Sequence, residues 1–497
     1  MTERALAGRD ASAGKALPGT ASRRHTSSDN QALLRKQQNR HLPRMMHLCA
    51  SAHPYYRRVF RDLGLAVDDF HSVEDLRRLP ILRKQDYVRD PEQFRLRLDG
   101  ITGLALEEAT LADVIYTSGS SGKPTPFYDT VHDRFARIHH LGRVAAIAGI
   151  GPRDTVMNLF PLSAVPHQGF LSAMWGAMAA GSRLLSGMTG SAYADYPIHH
   201  RMDDAIEMIE REQATVLWGI TAYVRRVVIR AQELGKDFSA VRLAMVMGEP
   251  CPPPMREDFR QRLQSLGSTA PKINNGYGFT EVQGPAIECV EGGGRHQVVP
   301  DQFYTEIVDP DTGSPVPEGK PGLLLISHLN RRGTVLLRYA PGDVVAMSHE
   351  TCLPCGRREP RLLGNPHRVD GLTKVKGTLI DPAALHEQLA QLLHQGVAEY
   401  QVTVTREILR DPFSQDVLLV RVACAESARK RLAEEVPRLV RQAAEVTPSV
   451  EFLPEDGFAE IAGGYKFSRF ADERKTVSLP AAPHAPTEPL GTRDHDE

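Results

Sequence analysis

Between Val131 and Met247 the apolar residues change their spacing repeatedly, and few folds accommodate that alternation. Val131 to Ala148 carry apolar groups at helical spacing, and Thr155 to Phe160 form a short apolar run of strand length. Asp203 to Arg211 reads as a helix, Val216 to Ile220 as a strand, Ala222 to Leu234 as a helix and Leu243 to Met247 as a strand. Such alternation predicts an α/β fold with parallel strand pairs and ligands held at the strand ends. Gly248-Glu249-Pro250 and Asn274-Asn275-Gly276-Tyr277-Gly278 stand at two of those ends.

Ahead of this region, Tyr116-Thr117-Ser118-Gly119-Ser120-Ser121-Gly122-Lys123-Pro124-Thr125 crowds glycines, hydroxyls and one lysine into a short loop. Glycines let consecutive N–H groups converge on an anion, hydroxyls add donors, and lysine supplies a point charge. It is not a Walker A motif: Gly119 and Gly122 are too close together, and Pro124 follows the lysine. By composition alone a flexible Ser/Gly linker and a phosphate cradle both remain open.

A chain of 497 residues, 41% of them apolar, exceeds one ordinary core and predicts two or more domains. Lys and Arg total 60 against 61 Asp and Glu, so the net charge of −1 offers nothing to a nucleic-acid partner. Six cysteines are too sparse for a disulfide framework, which favours a reducing, cytoplasmic setting. The polar N-terminus has no secretory-signal core. The uncharged run from Thr155 to Ser182 contains Pro161, Pro166, His167 and several glycines, so it reads as buried strand and turn rather than a membrane helix.

Residues 1–28 and 476–497 lack periodicity and read as disordered tails. From Asn30 to about Asp99 the pattern is helical, broken at Leu79-Pro80-Ile81-Leu82-Arg83-Lys84. Beyond Asp301 it turns to strands, Tyr304 to Val308 and Gly322 to Ser327, across Asp309-Pro310-Asp311-Thr312-Gly313. A large N-terminal domain over 29–369 is expected, followed by a small α+β domain over 370–475. The latter holds helices near Pro382 to Leu393 and Ser427 to Ala444 and strands Gln401 to Thr405 and Val417 to Val422.

Cys352-Leu353-Pro354-Cys355-Gly356 is half of a tetrahedral zinc site by its spacing. Cys289 and His296, separated by six residues, supply another pair. The two readings are a structural Cys3His zinc clasp and free buried thiols.

Four further segments follow the loop in order: Tyr277-Gly278-Phe279-Thr280-Glu281; Arg338-Tyr339-Ala340-Pro341-Gly342-Asp343; Arg368-Val369-Asp370 leading into Lys374-Val375-Lys376-Gly377; and Gly464-Tyr465-Lys466-Phe467-Ser468-Arg469. Together they resemble the motif series of the adenylate-forming superfamily of acyl-CoA synthetases, carrier-protein adenylation domains and luciferases. Leu79 to Asp86, Glu306 to Gly313, Cys355-Gly356-Arg357 and the ending Lys466-x-x-Arg469-Phe470-x-Asp472-x-Arg474 resemble the phenylacetate-CoA ligase family within it. The resemblance spans about Arg44 to Lys475. It implies a large adenylate-forming domain with mixed sheets and a small mobile C-terminal domain.

The resemblance also implies an activity: a carboxylic acid, of aryl or arylacetic type, attacks the α-phosphate of ATP, expels pyrophosphate, and is then passed to coenzyme A. An amine or a carrier-protein thiol is the alternative acceptor, and a degenerate adenylate-binding protein the reading from another class. Thr117 and Ser118 to Lys123 would hold the β- and γ-phosphates, Thr280 the α-phosphate, and Glu281 a magnesium ion. Gly248, Glu249, Pro250, Asn275, Gly276, Tyr277 and Gly278 would border the nucleotide. Asp343 would accept from the ribose hydroxyls, a task for a fixed carboxylate, and Arg368 would assist. Lys466 would bridge the acyl carboxylate and the α-phosphate, and Asp370 would be the hinge that later brings the Lys376-Gly377 segment to the adenylate. His367 and Gly371 depart from the family pattern around it. His167, Trp218, Gly219 and Tyr223, with Gly248 and Tyr277, would line the acyl pocket; for Trp218 and Tyr223, core packing is the open alternative.

Overall fold

The computed structural model describes residues 27–117, 124–162, 168–189, 201–282, 284–369, 373–375, 378–409, 411, 414–444, 446–458 and 467–475. The tails expected over 1–28 and 476–497 lie outside the described residues, except that Ser27 and Ser28 already open the first helix, Ser27–Ala52. Asp370, the expected hinge and domain start, also lies outside them.

Five parallel strands form the central sheet, ordered Arg183–Ser186, Thr155–Asn158, Val216–Ile220, Leu243–Met247, Lys272–Gly276. The inner strands Val216–Ile220 and Leu243–Met247 are buried along their whole length, as strands covered on both faces must be. One covering helix, Val131–Ala148, has both ends written in its sequence. Thr130 and Asp133 form a reciprocal capping box at its start, and Gly149 closes it at φ 75°.

The helix Gln168–Ala179 corrects the expectation of strand and turn through Ser182. Its residues are almost all small or apolar, so no polar stripe marks a period. The reason lies in the packing: a Cβ on Gly176 would stand 2.6 Å from the ring of Trp218, so the helix and the central sheet are in close contact there.

An eight-stranded, largely antiparallel sheet lies beside the first and carries Tyr339–Ala340, Gly322–His328, Asp343–Ser348, Arg361–Arg368, Arg295–His296 and Ile287–Glu288. Leu111–Tyr116 and Pro126–Thr130 make a separate antiparallel hairpin. The C-terminal part is α+β: a four-stranded sheet ordered Ser449–Leu453, Asp416–Cys424, Val397–Arg406, Phe470–Asp472, with helices Pro382–Leu389 and Arg429–Ala444. Its turn Ala390–Gln395 packs on the helix Pro253–Ser265 of the N-terminal part, and one buried apolar cluster runs through both. Among the described residues no helix is long and apolar enough to cross a membrane.

Candidate active site

The Ser/Gly loop leaves the end of the Leu111–Tyr116/Pro126–Thr130 hairpin. Ser118, Gly119, Ser120, Ser121, Gly122 and Lys123 lie outside the described residues. Thr117 closes the described part of the hairpin: its N–H donates to the Thr125 carbonyl at 3.0 Å, and its Oγ1 accepts from the Thr125 N–H at 3.1 Å. Lower down, the fully buried Asp129 takes two bonds from Arg137, at 2.9 and 2.6 Å, and another from Arg331. Burial pushes the Asp129 carboxyl up, but the two guanidinium groups outweigh it and hold the carboxyl below its ordinary range. Arg331 also donates to the Tyr128 carbonyl at 2.9 Å, and Gly333 passes so close that a Cβ there would lie 2.1 Å from that oxygen. The base of the loop is therefore clamped.

At the far end of the central sheet the expected nucleotide residues come together. The Tyr277 hydroxyl donates to Asp343 Oδ2 at 2.7 Å, while Arg368 Nε lies 3.2 Å from Oδ1 and its Nη1 donates to the Pro341 carbonyl at 2.6 Å. Asp343 and Arg368 face each other because they are register partners across adjacent strands. Gly342, at φ 94°, makes the turn into that strand, a conformation that favours glycine. Each carboxylate oxygen of Asp343 thus has one protein partner and one lone pair to spare.

Thr280 and Glu281 are buried just beyond Tyr277. The Tyr339 hydroxyl donates to Glu281 Oε1 at 2.6 Å, and His328 Nε2 lies 2.8 Å from the Glu281 carbonyl. Leu336 N–H donates to the other ring nitrogen of His328, so this imidazole is neutral with its proton on Nε2. Burial pushes its pKa down to about 3. Motif reading missed these contacts of Tyr339 and His328 with Glu281, although Tyr339 sits inside a recognised segment.

Gly248 follows the strand Leu243–Met247 at φ 83° and turns Glu249 back, so that its Oε2 accepts from the Ala222 N–H at 3.0 Å. Pro250 is exposed beside it. Asn275 donates to the carbonyls of Val246 and Glu249, at 3.2 and 3.4 Å, and is itself held by Arg295 and by Glu288. Gly276 and Gly278 are tightly placed: a Cβ on Gly278 would fall 2.9 Å from Pro285 Cα.

Lys466 lies outside the described residues. The chain that follows it does not. Phe467 is buried with Phe458 against Ala222, and Arg469 donates to Glu399 at 2.8 and 2.6 Å while its Nη1 stands 3.7 Å from Glu249 Oε2. Burial opposes charge on both Arg469 and Glu399, yet their attraction raises the guanidinium and lowers the carboxyl. A C-terminal residue three positions from Lys466 therefore touches the Glu249 end of the site.

The residues expected to hold an acyl group are more mixed. Trp218 is fully buried against Gly176 and belongs to the core. Gly219 has room for no side chain, since a Cβ would meet Val224 Cγ2 at 2.9 Å. The Tyr223 ring lies under the Arg226 guanidinium at 5.4 Å. His167 is outside the described residues. Elsewhere, Cys289, His296, Cys352 and Cys355 converge, with their ligand atoms all within 4.8 Å of one another.

Residues 67–331 match the family model described as AMP-binding enzyme. The chain is 28% identical over 461 residues to a phenylacetate-coenzyme A ligase of Thermus thermophilus, covering 89% of this chain and 97% of that one. It is 29% identical over 371 residues to the phenylacetate-coenzyme A ligase of Escherichia coli, covering 74% and 78%. In fold it resembles the crystal structure of 2-hydroxyisobutyryl-CoA ligase in the postadenylation state, with a TM-score of 0.72 at 22% identity over 93% of this chain and 94% of that one. The same ligase in its thioesterification state gives 0.53.

Proposed function

The chain belongs to the AMP-binding enzyme family and is an AMP-forming acid:CoA ligase; we propose that its acid is aryl or arylacetic and that the residues at the sheet ends serve two successive half-reactions. In the first, a carboxylate oxygen attacks the α-phosphorus of ATP, the bond to the β-phosphate oxygen breaks, and pyrophosphate leaves with that electron pair. In the second, the thiolate of coenzyme A attacks the acyl carbon and AMP departs. Both steps gather negative oxygens, so positioning and charge neutralisation carry most of the catalysis.

The observation that carries this reading is the Tyr277–Asp343–Arg368 cluster, together with Arg469, three positions from Lys466, reaching Glu249 after the strand Leu243–Met247. Asp343, oriented from both sides, is suited to accept the two ribose hydroxyls. Thr117 and the loop Ser118 to Lys123 take the β- and γ-phosphates, Thr280 takes the α-phosphate, and Gly248 to Pro250 with Asn275 to Gly278 border the base. Magnesium, when bound, neutralises phosphate charge, and the buried Glu281 carboxylate is its protein donor. Lys466 delivers its ammonium to the acyl and α-phosphate oxygens. The 29–369 and 370–475 parts act as two domains about Asp370. Gly219 and Tyr223, with His167, border the acyl group. Six cysteines with no disulfide among them accord with a cytoplasmic setting.

Pyrophosphate release is to be measured over aryl, arylacetic and aliphatic acids, with and without coenzyme A. Acid-dependent release that is greatest for aryl or arylacetic acids, and acyl-CoA formed only when coenzyme A is present, is expected. Lys466→Ala should abolish the first half-reaction while the chain still binds ATP. A preference for aliphatic acids overturns the substrate class, and unchanged release by Lys466→Ala overturns the role of that lysine.

A further inference from the structure

Cys289 and His296 sit at one edge of the antiparallel sheet, in and beside the short strands Ile287–Glu288 and Arg295–His296 that pair with each other. Cys352 and Cys355 come from the connection between Asp343–Ser348 and Arg361–Arg368. We propose that these four residues hold one zinc ion in a closed structural site, and that the ion braces the strand carrying Asn275 from behind.

The distances argue for a metal. Cys289 Sγ lies 3.6 Å from Cys352 Sγ, and His296 Nε2 lies 3.4 Å from Cys289 Sγ and 3.5 Å from Cys355 Sγ. Tetrahedral zinc, with bonds of about 2.3 Å to sulfur and about 2.0–2.1 Å to nitrogen, separates two sulfurs by about 3.8 Å and sulfur from nitrogen by about 3.5 Å. The cluster already has those spacings. A disulfide needs sulfurs about 2.05 Å apart and is not formed. The connection folds as a metal knuckle does: the Gly356 N–H donates to the Cys352 carbonyl at 2.7 Å, Gly356 takes φ 69°, and the Cys355 N–H points at the Cys352 sulfur.

Three thiolates and an imidazole form a soft donor set that suits zinc, and four protein ligands leave no position open for water. Each ligand on the 287–296 hairpin has a neighbour that grips Asn275. Glu288, beside Cys289, accepts from the Asn275 N–H at 3.1 Å and pairs with Arg256 at 2.7 Å; Arg295, beside His296, donates to the Asn275 carbonyl at 2.9 Å. Fixing the hairpin therefore fixes Asn275, two residues before Tyr277. This second part rests on the nucleotide role proposed for that segment; the first does not.

The test uses the full chain purified without chelator. Elemental analysis should find about one zinc per chain, and reduced, metal-stripped chain given cobalt alone should develop the visible absorption of tetrahedral cobalt bound to thiolate. Cys355→Ser, at an exposed position, should lower the zinc content and weaken the cobalt spectrum. Zinc-free protein whose stripped form stays colourless with cobalt overturns the site, whatever its catalytic activity. ATP binding measured by calorimetry should weaken at least severalfold in the stripped chain and recover on adding zinc. Unchanged binding overturns the bracing role, even with zinc present.

Discussion

Asp343 has little contact with solvent, and Tyr277 and Arg368 share the work of aiming it. Removing only the Tyr277 hydroxyl, in Tyr277→Phe, leaves the ring in place and frees one carboxylate oxygen to turn. A hydrogen bond to a charged group contributes about 1.5–3 kcal/mol, so the KM for ATP should rise on the order of tenfold or more. Steady-state kinetics check this, and an unchanged KM would show that Arg368 alone orients the aspartate. Asp343 and Arg368 were legible as motif residues, yet nothing local says that they are cross-strand partners. Tyr339 and His328 gave no signal as the holders of Glu281, because a tyrosine and a histidine in strand-like sequence are ordinary core residues until their partners are known. Trp218 shows the converse: a residue type common in ligand pockets, placed in the core by a glycine 42 positions earlier.

At the scale of elements, the hairpin Leu111–Tyr116/Pro126–Thr130 depends on a loop far away in the chain. Gly333 N–H donates to Asp133, and Thr334 N–H donates to the Tyr128 carbonyl. Gly333→Ala would drive a methyl into that carbonyl, and overpacking of this kind costs about 1–3 kcal/mol. Urea unfolding should register a loss of that size, and ATP binding should weaken with it as the hairpin shifts. Wild-type stability and affinity would show that the contact relaxes without moving the hairpin. Most central strands and the helix Val131–Ala148 were readable, because period, caps and strand length are local properties. The helix Gln168–Ala179 was not, since its residues are almost all small or apolar, the exposed Met178 included, and no polar stripe marks a period.

Across the whole molecule, Arg469 spans the two parts of the chain. It pairs with Glu399 in the C-terminal part and reaches Glu249 in the N-terminal part, while Arg225 stands between Asp258 and Glu399. The two pairs that cross between the parts, Arg469 with Glu249 and Arg225 with Glu399, can persist only in a placement close to the one seen. Arg469→Ala should therefore slow adenylate formation by about tenfold or more, since removing one partner of a buried charge pair costs about 3–5 kcal/mol, while transfer from supplied acyl-adenylate to coenzyme A changes less. Equal losses in both would make Arg469 a general packing residue. The molecule also carries a pH liability. Burial lowers His53 to about 4 and His140 and His328 to about 3, against about 6.5 in an unfolded chain. A depressed histidine takes its proton first in the unfolded state, so its stabilising contribution is full above about pH 6.5 and is lost as pH falls towards 4 and below. The thermal midpoint should drop steadily between pH 7 and pH 5; a flat profile there would contradict neutral burial of these rings.

The sequence by itself determined the repeating strand and helix, the order of the motif segments, and the residue types suited to phosphate, ribose and metal. Each of these is a property of neighbours along the chain. Only the tertiary structure decided that Asp129 lies between Arg137 and Arg331, that Glu288 and Arg295 converge on Asn275, and that two cysteine-bearing segments more than fifty residues apart meet. Those pairings involve buried charge and close packing between distant segments, whose energies depend on which surfaces meet and not on the local pattern of either one.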